Sequence, residues 1–179
     1  MPGARFADHV CAVAQPDVGL ALFARGSLWT RLYLKGDVDG WNAEGGSTRA
    51  RLAFDEEVVV LKRRAPASGS AITVGTSTSY QVMRWDGNCY SMDDGELTRQ
   101  RPPRPKHPSI PWKYLSEGTR QALLNYAGVK TAYAKRSKEC KGVTMGEVSL
   151  ACVKADDAFS DSIVSAVRSG FALPAPELR

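Results

Sequence analysis

The sequence has only two histidines, and it lacks the motifs that reveal most catalytic sites. Its 179 residues contain no GxGxxG or Walker loop, no HExxH and no GxSxG. The usual sequence evidence for a nucleotide site, a zinc protease or a serine hydrolase is therefore missing. His9 and His107 have no second ligand at the spacing of a structural zinc site. We accordingly expect no cofactor, no metal and no catalytic residue.

Long apolar stretches are also absent. No segment approaches the roughly 18 uncharged apolar residues of a spanning helix, so the sequence predicts no transmembrane segment. Asp8 and His9 interrupt the apolar run near the start, and no basic segment leads into it. The N-terminus therefore does not have the pattern of a signal peptide. The alternative that the chain is a mature fragment, with its export signal already removed, stays open.

Cysteines are few but even in number. Cys11, Cys89, Cys140 and Cys152 are separated by 78, 51 and 12 residues, and no pair has the close spacing of zinc ligands. We predict two disulfides, with four buried free thiols as the alternative. The favoured pairing is Cys11–Cys89 with Cys140–Cys152, because each bond then stays within one half of the chain. Disulfides indicate a periplasmic or extracellular protein, and reduced thiols would indicate a cytoplasmic one.

Residues 10–98 have the pattern of an antiparallel β domain. Over 27–35, Leu28, Leu32 and Leu34 alternate with Trp29 and Tyr33, the period of two of a half-buried strand. Glycine-containing turn signals separate further short segments rich in β-branched and aromatic residues. These additional predicted strands are 18–24, 48–54, 57–63, 71–76 and 80–85. A barrel or sandwich follows, with a small SH3-like barrel as one candidate.

The chain changes character near residue 99. Five prolines within 99–111 exclude a helix interior or a central strand, and predict an extended, proline-rich linker. A small helical subdomain of three to four helices is predicted over 112–170, followed by a C-terminal tail over 171–179. Its predicted helices are 116–126, 129–140, one opened by the capping box at 144–147, and one from 160 to 170. The fold class is therefore α+β.

The positive charge of the protein is concentrated in one stretch. Residues 99–141 hold 11 Lys/Arg and 2 Asp/Glu, a formal charge of +9, whereas the whole chain carries +5. Such a surface attracts anionic partners, of which a protein or a cell-wall polymer is favoured over nucleic acid. The alternative is a solvated basic face that only keeps the protein soluble. Trp41, beside the turn signal Asp39-Gly40, is a candidate aromatic contact. The candidate binding cations are Arg99, Arg101, Arg104, Lys106 and Lys113.

Two features of the linker region leave alternatives open. Trp112 and Tyr114 flank Lys113, as in single-stranded nucleic acid binders, but no nucleic-acid motif accompanies them. Prolines recur at every third position from 102 to 111, which matches the PxxP ligands of aromatic grooves. A structural tether packed over the β domain explains the same prolines and is the favoured interpretation.

The tetrapeptide Asp86-Gly87-Asn88-Cys89 resembles the nucleophile motif of ovarian-tumour-type cysteine proteases. The resemblance implies Cys89 as nucleophile and a histidine base downstream, where His107 is the one candidate. Such a pair requires the two side chains to lie within hydrogen-bond reach. The alternative interpretation places Cys89 in a disulfide after an Asp-Gly turn.

These observations favour a non-enzymatic, exported module of the cell envelope that binds or supports a partner through the basic surface in 99–141. The alternative is a cytosolic protein that binds nucleic acid or another anionic ligand. A further alternative is a cysteine hydrolase that uses Cys89.

Overall fold

Seven antiparallel strands form one sheet in the computed structural model, which describes residues 2–42, 49–65, 77–144 and 146–178. The sheet is curled into a half-barrel and the chain is α+β, as predicted. The order across the sheet is β3-β2-β6-β5-β4-β1-β7. The strands are β1 (Arg31–Leu34), β2 (Val38–Asn42), β3 (Arg49–Leu52), β4 (Glu57–Arg64), β5 (Ser79–Met83), β6 (Cys89–Asp93) and β7 (Leu97–Thr98).

Strand β4 lies between β1 and β5 and is covered on both faces at its start. Glu57, Val58 and Val59 are consecutive and all fully buried, which requires packing on each side of the sheet because successive side chains alternate. Val58 belongs to a small core on one face together with Leu32 and Leu34. Val59 belongs to the main core, which the helices cover.

The predicted strand 18–24 is wrong, because the chain forms a helix there. Two helices, α1 (Pro2–Val10) and α2 (Pro16–Phe23), precede the sheet, so the predicted β domain at 10–98 begins with helical structure. Six of the eight residues of α2 are buried, and a run buried on all sides shows neither helical nor strand periodicity. Pro16 occupies the first turn, where proline is favoured.

The turn predicted at Asp39-Gly40 is also wrong, because both residues lie within β2. Gly40 packs directly on Leu52 and Tyr90, and a Cβ atom there would lie 2.8 Å from the Tyr90 ring. Glycine at this position therefore permits close packing within the sheet.

The strand predicted at 27–35 is shorter than expected, since Leu28 is fully exposed outside it. The strand predicted at 71–76 lies outside the described residues, and the SH3-like barrel stays a prediction.

Three α-helices follow the linker, α3 (Glu117–Leu124), α4 (Ala127–Glu139) and α5 (Leu150–Ser169). Ser116 caps α3 as predicted, accepting a hydrogen bond from the backbone N–H of Thr119. The prediction of separate helices opened at 144–147 and after Ser160 is wrong. Ser149 caps α5, which then continues unbroken to Gly170. A single buried stripe explains this continuity, with members Cys152, Ala155, Phe159, Ile163 and Val167.

Both predicted disulfides are confirmed. Cys11 and Cys89 join the chain after α1 to the start of β6, with their Cα atoms 5.5 Å apart. Cys140 and Cys152 join the end of α4 to the first turn of α5, with a Cα separation of 4.8 Å. Each bond staples two neighbouring elements, and no free cysteine occurs among the described residues.

The main core lies between the sheet and the helices. Phe23 of α2 stacks on Trp85 with 4.3 Å between ring centroids, and Trp112 packs edge-on against Phe159 of α5 at 5.0 Å. The cluster contains residues from before the linker, such as Val59, and residues from after it. In the described segments no helix combines the length and apolarity needed to cross a bilayer.

Candidate functional site

The linker 99–111 is held between the sheet and α5. The backbone N–H of Lys106 donates to the carbonyl of Asp55 at 2.9 Å, and the N–H of Glu57 donates to the carbonyl of Lys106 at 3.0 Å. These bonds form a parallel bridge beside the start of β4. Four residues later, the N–H of Ile110 donates to Oγ of Ser160 at 3.0 Å. The proline-rich segment is therefore fixed to both layers through its remaining N–H groups.

The turn between β3 and β4 positions the linker. Asp55 adopts a left-handed backbone conformation with φ of 64°, and its carbonyl oxygen accepts the hydrogen bond from Lys106. Oδ1 of Asp37 accepts a 2.7 Å hydrogen bond from the N–H of Phe54. This bond lowers the pKa of Asp37 below its usual value, and the nearby Arg51 acts in the same direction.

Two buried carboxylates lie beneath this turn. Glu56 pairs with Arg84 and accepts a 3.0 Å hydrogen bond from the N–H of Ala53. Burial acts to lower the pKa of Arg84, but the charges of Glu56 and Asp86 outweigh it and raise the pKa. A buried carboxylate is tolerated only when donors surround it. The pairing therefore anchors the β3–β4 turn from below.

Glu57 is fully buried and faces four donor side chains, two from β1, one from the β5–β6 connection and one from α5. Its carboxylate lies 2.8 Å from Nη2 of Arg168 and 3.2 Å from Nε1 of Trp85. Arg31 and the hydroxyl of Tyr33 each lie 3.5 Å from Oε1. Glu57, the next residue after the Glu56–Lys106 bridge, is thus bonded to α5 and to β1.

His107 connects the linker to α5. Its Nε2 lies 2.9 Å from Oδ1 of Asp161, and its Nδ1 lies 2.9 Å from the carbonyl oxygen of Pro108. The imidazole ring also approaches the ring of Trp85, with 6.3 Å between centroids. Both ring nitrogens thus face oxygen atoms, which fixes the ring between the linker and the helix.

Two of the cavities that border the linker contain its cations. The first, about 480 Å³, lies between the linker and the end of β1 and is lined by Lys35 and Arg101 among others. We call it the sheet cavity. The second, about 390 Å³, lies between the linker and α5 and contains Arg104, Lys106 and His107 on its linker side. We call it the helix cavity.

The two cavities meet at the β3–β4 turn. Phe54 lines the sheet cavity and Ala53 lines the helix cavity. The ammonium group of Lys106 lies 6.0 Å from the centroid of the half-exposed Phe54 ring, within the range of a cation–π contact. The cations at 101, 104 and 106 therefore belong to one continuous surface.

The candidate binding residues are brought together only in part. Arg101, Arg104 and Lys106 line the two cavities, whereas Arg99 is exposed and lines neither. Lys113 lies farther along, with its ammonium 4.8 Å from the ring of Tyr114. Trp41 is half exposed, as an interaction site requires. It projects from β2 and lines neither cavity.

Cys89 is bonded to Cys11, so its sulfur is not a free thiol in this structure. His107 faces Asp161 and a backbone carbonyl. The Cys–His arrangement implied by the Asp86–Cys89 resemblance is therefore not formed. Across the described ranges, no three His, Cys, Asp or Glu side chains gather as a possible metal site.

Asp157 and Asp161 of α5 were not among the site residues predicted from the sequence. They line the helix cavity opposite the linker, more than 45 residues beyond it in the chain. Their spacing of four places them on one helical face, which the sequence does show. That this face meets the linker follows only from tertiary packing.

The sequence matches no protein-family model, and no curated protein or solved structure is significantly similar to it.

Proposed function

We propose that this protein is a non-enzymatic binding module of the cell envelope, which holds an acidic protein or cell-wall polymer on the basic surface in 99–141. The linker cations Arg101, Arg104 and Lys106 form the centre of this surface. Arg99 and Lys113 extend it at either end.

The observation that carries the proposal is that the linker cations lack a carboxylate partner although the backbone that carries them is fixed. Arg31, Arg84, Arg136 and Arg168 are each paired with a carboxylate. Within the described residues, the linker cations form no salt bridge, although their backbone is fixed to the sheet and to α5. The uncompensated cations are Arg99, Arg101, Arg104, Lys106 and Lys113, all exposed.

Fixed and uncompensated cations suit an anionic ligand. Because the linker backbone is already ordered, binding costs less conformational entropy than it would on a free segment. The net positive charge of 99–141 also accelerates encounter with an acidic partner. The half-exposed ring of Phe54 adds an apolar contact at the centre of the surface.

The two disulfides support an exported location. Such bonds persist in a periplasm or outside the cell and are rare in a reducing cytosol. Cys11–Cys89 and Cys140–Cys152 are both formed.

The test measures affinity for poly-glutamate, polyglycerol phosphate and oligothymidylate at two salt concentrations. The triple variant Arg101→Gln/Arg104→Gln/Lys106→Gln should weaken binding of poly-glutamate or polyglycerol phosphate by about tenfold or more. It should also reduce the dependence of binding on salt.

The matched control is Arg25→Gln/Arg63→Gln/Arg64→Gln, which removes three exposed cations outside the linker. This control should weaken binding by less than about threefold, because only the general field changes. Equal losses in the two triple variants would contradict a localised site. Tighter binding of oligothymidylate than of either acidic polymer would support the nucleic-acid alternative instead.

A further inference from the structure

The helix cavity carries charges of both signs on facing walls. Arg104 and Lys106 lie on the linker wall, and Asp157 and Asp161 lie on the α5 wall. The hydroxyl groups of Ser109 and Ser160 also line it. The sheet cavity also has both signs in its lining, but with one carboxylate, Asp55, against Lys35 and Arg101.

The opposite charges of the helix cavity do not pair with each other. Among the described residues, no salt bridge joins Arg104 or Lys106 to Asp157 or Asp161. Asp161 contacts His107, whereas Asp157 and Arg104 have no charged partner in the described parts of the chain. The linker cations and the α5 carboxylates are therefore separated by a gap. On a flexible surface, their opposite charges would draw them together.

The backbone explains why the gap stays open. On one side of the cavity, Lys106 is bonded to Asp55 and Glu57. On the other, Ile110 is bonded to Ser160 of α5, and His107 spans the walls to Asp161. These attachments hold the linker at a fixed separation from the helix. The backbone segments that carry the two sets of charges are therefore fixed relative to each other, which lowers the entropic cost of a group that bridges them.

We propose that the helix cavity binds a small zwitterion of the amino-acid class. Its carboxylate would lie on Arg104 and Lys106, and its ammonium group on Asp157. A volume of about 390 Å³ accommodates such a ligand. A simple anion would meet the carboxylates of α5, and a simple cation would meet the linker cations. Only a ligand with both charges satisfies both walls.

The Ser160 hydroxyl supports the same ligand. Its oxygen already accepts from the N–H of Ile110, so its own proton remains to donate to a carboxylate. This site is separate from the proposed polymer surface in its requirement for Asp157. The two proposals share Arg104 and Lys106, but the Asp157 carboxylate would repel a polyanion.

The test titrates the folded protein with glycine, 4-aminobutyrate and 6-aminohexanoate, followed by amide NMR shifts. Butyrate and butylamine at equal ionic strength serve as matched ligands with one charge each. We expect saturable shifts at 104–109 and 157–161, with at least one amino acid binding about tenfold or more tightly than either single-charge compound. Equal binding of butyrate, or no saturable shift with any amino acid, would overturn the proposal.

Two variants identify the residues. Asp157→Asn should lower the affinity for the best amino acid by about tenfold and leave butyrate binding no weaker. Glu147→Gln removes an exposed carboxylate outside the cavity and should change neither affinity. Amide shifts elsewhere in the protein report that both variants are folded. Unchanged amino-acid affinity in folded Asp157→Asn would refute the assigned role of this residue, and with it the site.

Discussion

Arg168, in the last turn of α5, donates a 2.8 Å hydrogen bond to Oε2 of Glu57 at the start of β4. The guanidinium of Arg168 also lies 5.3 Å from the centroid of the Trp85 ring, and Trp85 donates to the same carboxylate oxygen. The last helix and strand β4 are therefore joined by a partly buried ionic contact. Because Glu57 adjoins the linker bridge, this contact also supports the candidate site.

Removal of the Glu57 carboxylate should destabilise the protein strongly. Glu57→Ala leaves the partly buried guanidinium groups of Arg31 and Arg168 without their carboxylate partner, so the free energy of unfolding should fall by about 3 kcal/mol. Glu57→Gln should lose less, because its amide oxygen still accepts a hydrogen bond. Denaturation in urea measures both. Glu117→Gln, which disrupts an exposed pair with Arg120, is the control and should leave the midpoint nearly unchanged.

The two disulfides should contribute unequally to stability. Cys11 and Cys89 are 78 residues apart, and Cys140 and Cys152 are 12 apart. From loop-closure entropy we expect about 4.5 kcal/mol from the first bond and about 3 kcal/mol from the second. Double Cys→Ala variants of each pair, unfolded in urea, measure the difference. Four reactive thiols in the unreduced, denatured protein would show instead that neither bond forms.

Alanine at Gly87 should be far more costly than alanine at Gly26. The two glycines have φ values of 81° and 83°, so the conformational strain of a side chain is similar at both. A Cβ at Gly87 would collide with the carbonyl group of Gln15, whereas one at Gly26 would meet nothing within 4 Å. We expect a loss of about 1 kcal/mol for Gly26→Ala and about 3 kcal/mol or more for Gly87→Ala. Similar losses would show that the α2 entry does not pack on this turn.

Stability should decline at alkaline pH because of Tyr33. Burial raises the pKa of its hydroxyl, and the negative charge of Glu57 raises it further. Above about pH 10 the unfolded chain releases the tyrosine proton while the folded chain retains it. The free energy of unfolding therefore falls as the pH rises through this range.

Tyr33→Phe should reduce this alkaline decline without abolishing it, because burial also raises the pKa of Tyr90. Urea denaturation between about pH 8 and pH 11 gives the slope. Tyr114→Phe, which changes an exposed residue, should leave the slope as it is in the unmodified protein. An unchanged slope in Tyr33→Phe would contradict the effect of its burial.

Covalent pairing and the clearest local patterns were predictable from the sequence. The cysteines are even in number and lack the close spacing of metal ligands, and this predicted both bonds. The predicted strand 57–63 matches β4 within one residue. Ser116 and Gly170 mark helix ends through the chemistry of single residues. These features depend on local preferences, which a sequence carries directly.

Errors arose where tertiary burial overrides local pattern. Helix α2 is short and apolar on nearly all sides, so only Pro16 signals its start. Gly40 resembles a turn residue but occupies a strand because Tyr90 packs against it. At the site, exposed linker cations follow from proline and arginine content. Their position opposite Asp157 could not be predicted from the sequence, because it depends on how α5 packs.

The Cys11–Cys89 bond closes a covalent ring that holds α2 and the strands β1 to β5. A single proteolytic cut anywhere within this ring leaves both fragments attached through sulfur. The nicked protein would keep its full mass under non-reducing electrophoresis and separate into pieces only after reduction. Cleavage of a surface turn between the two cysteines would therefore not release the N-terminal helices, which gives the chain resistance to loss by limited digestion.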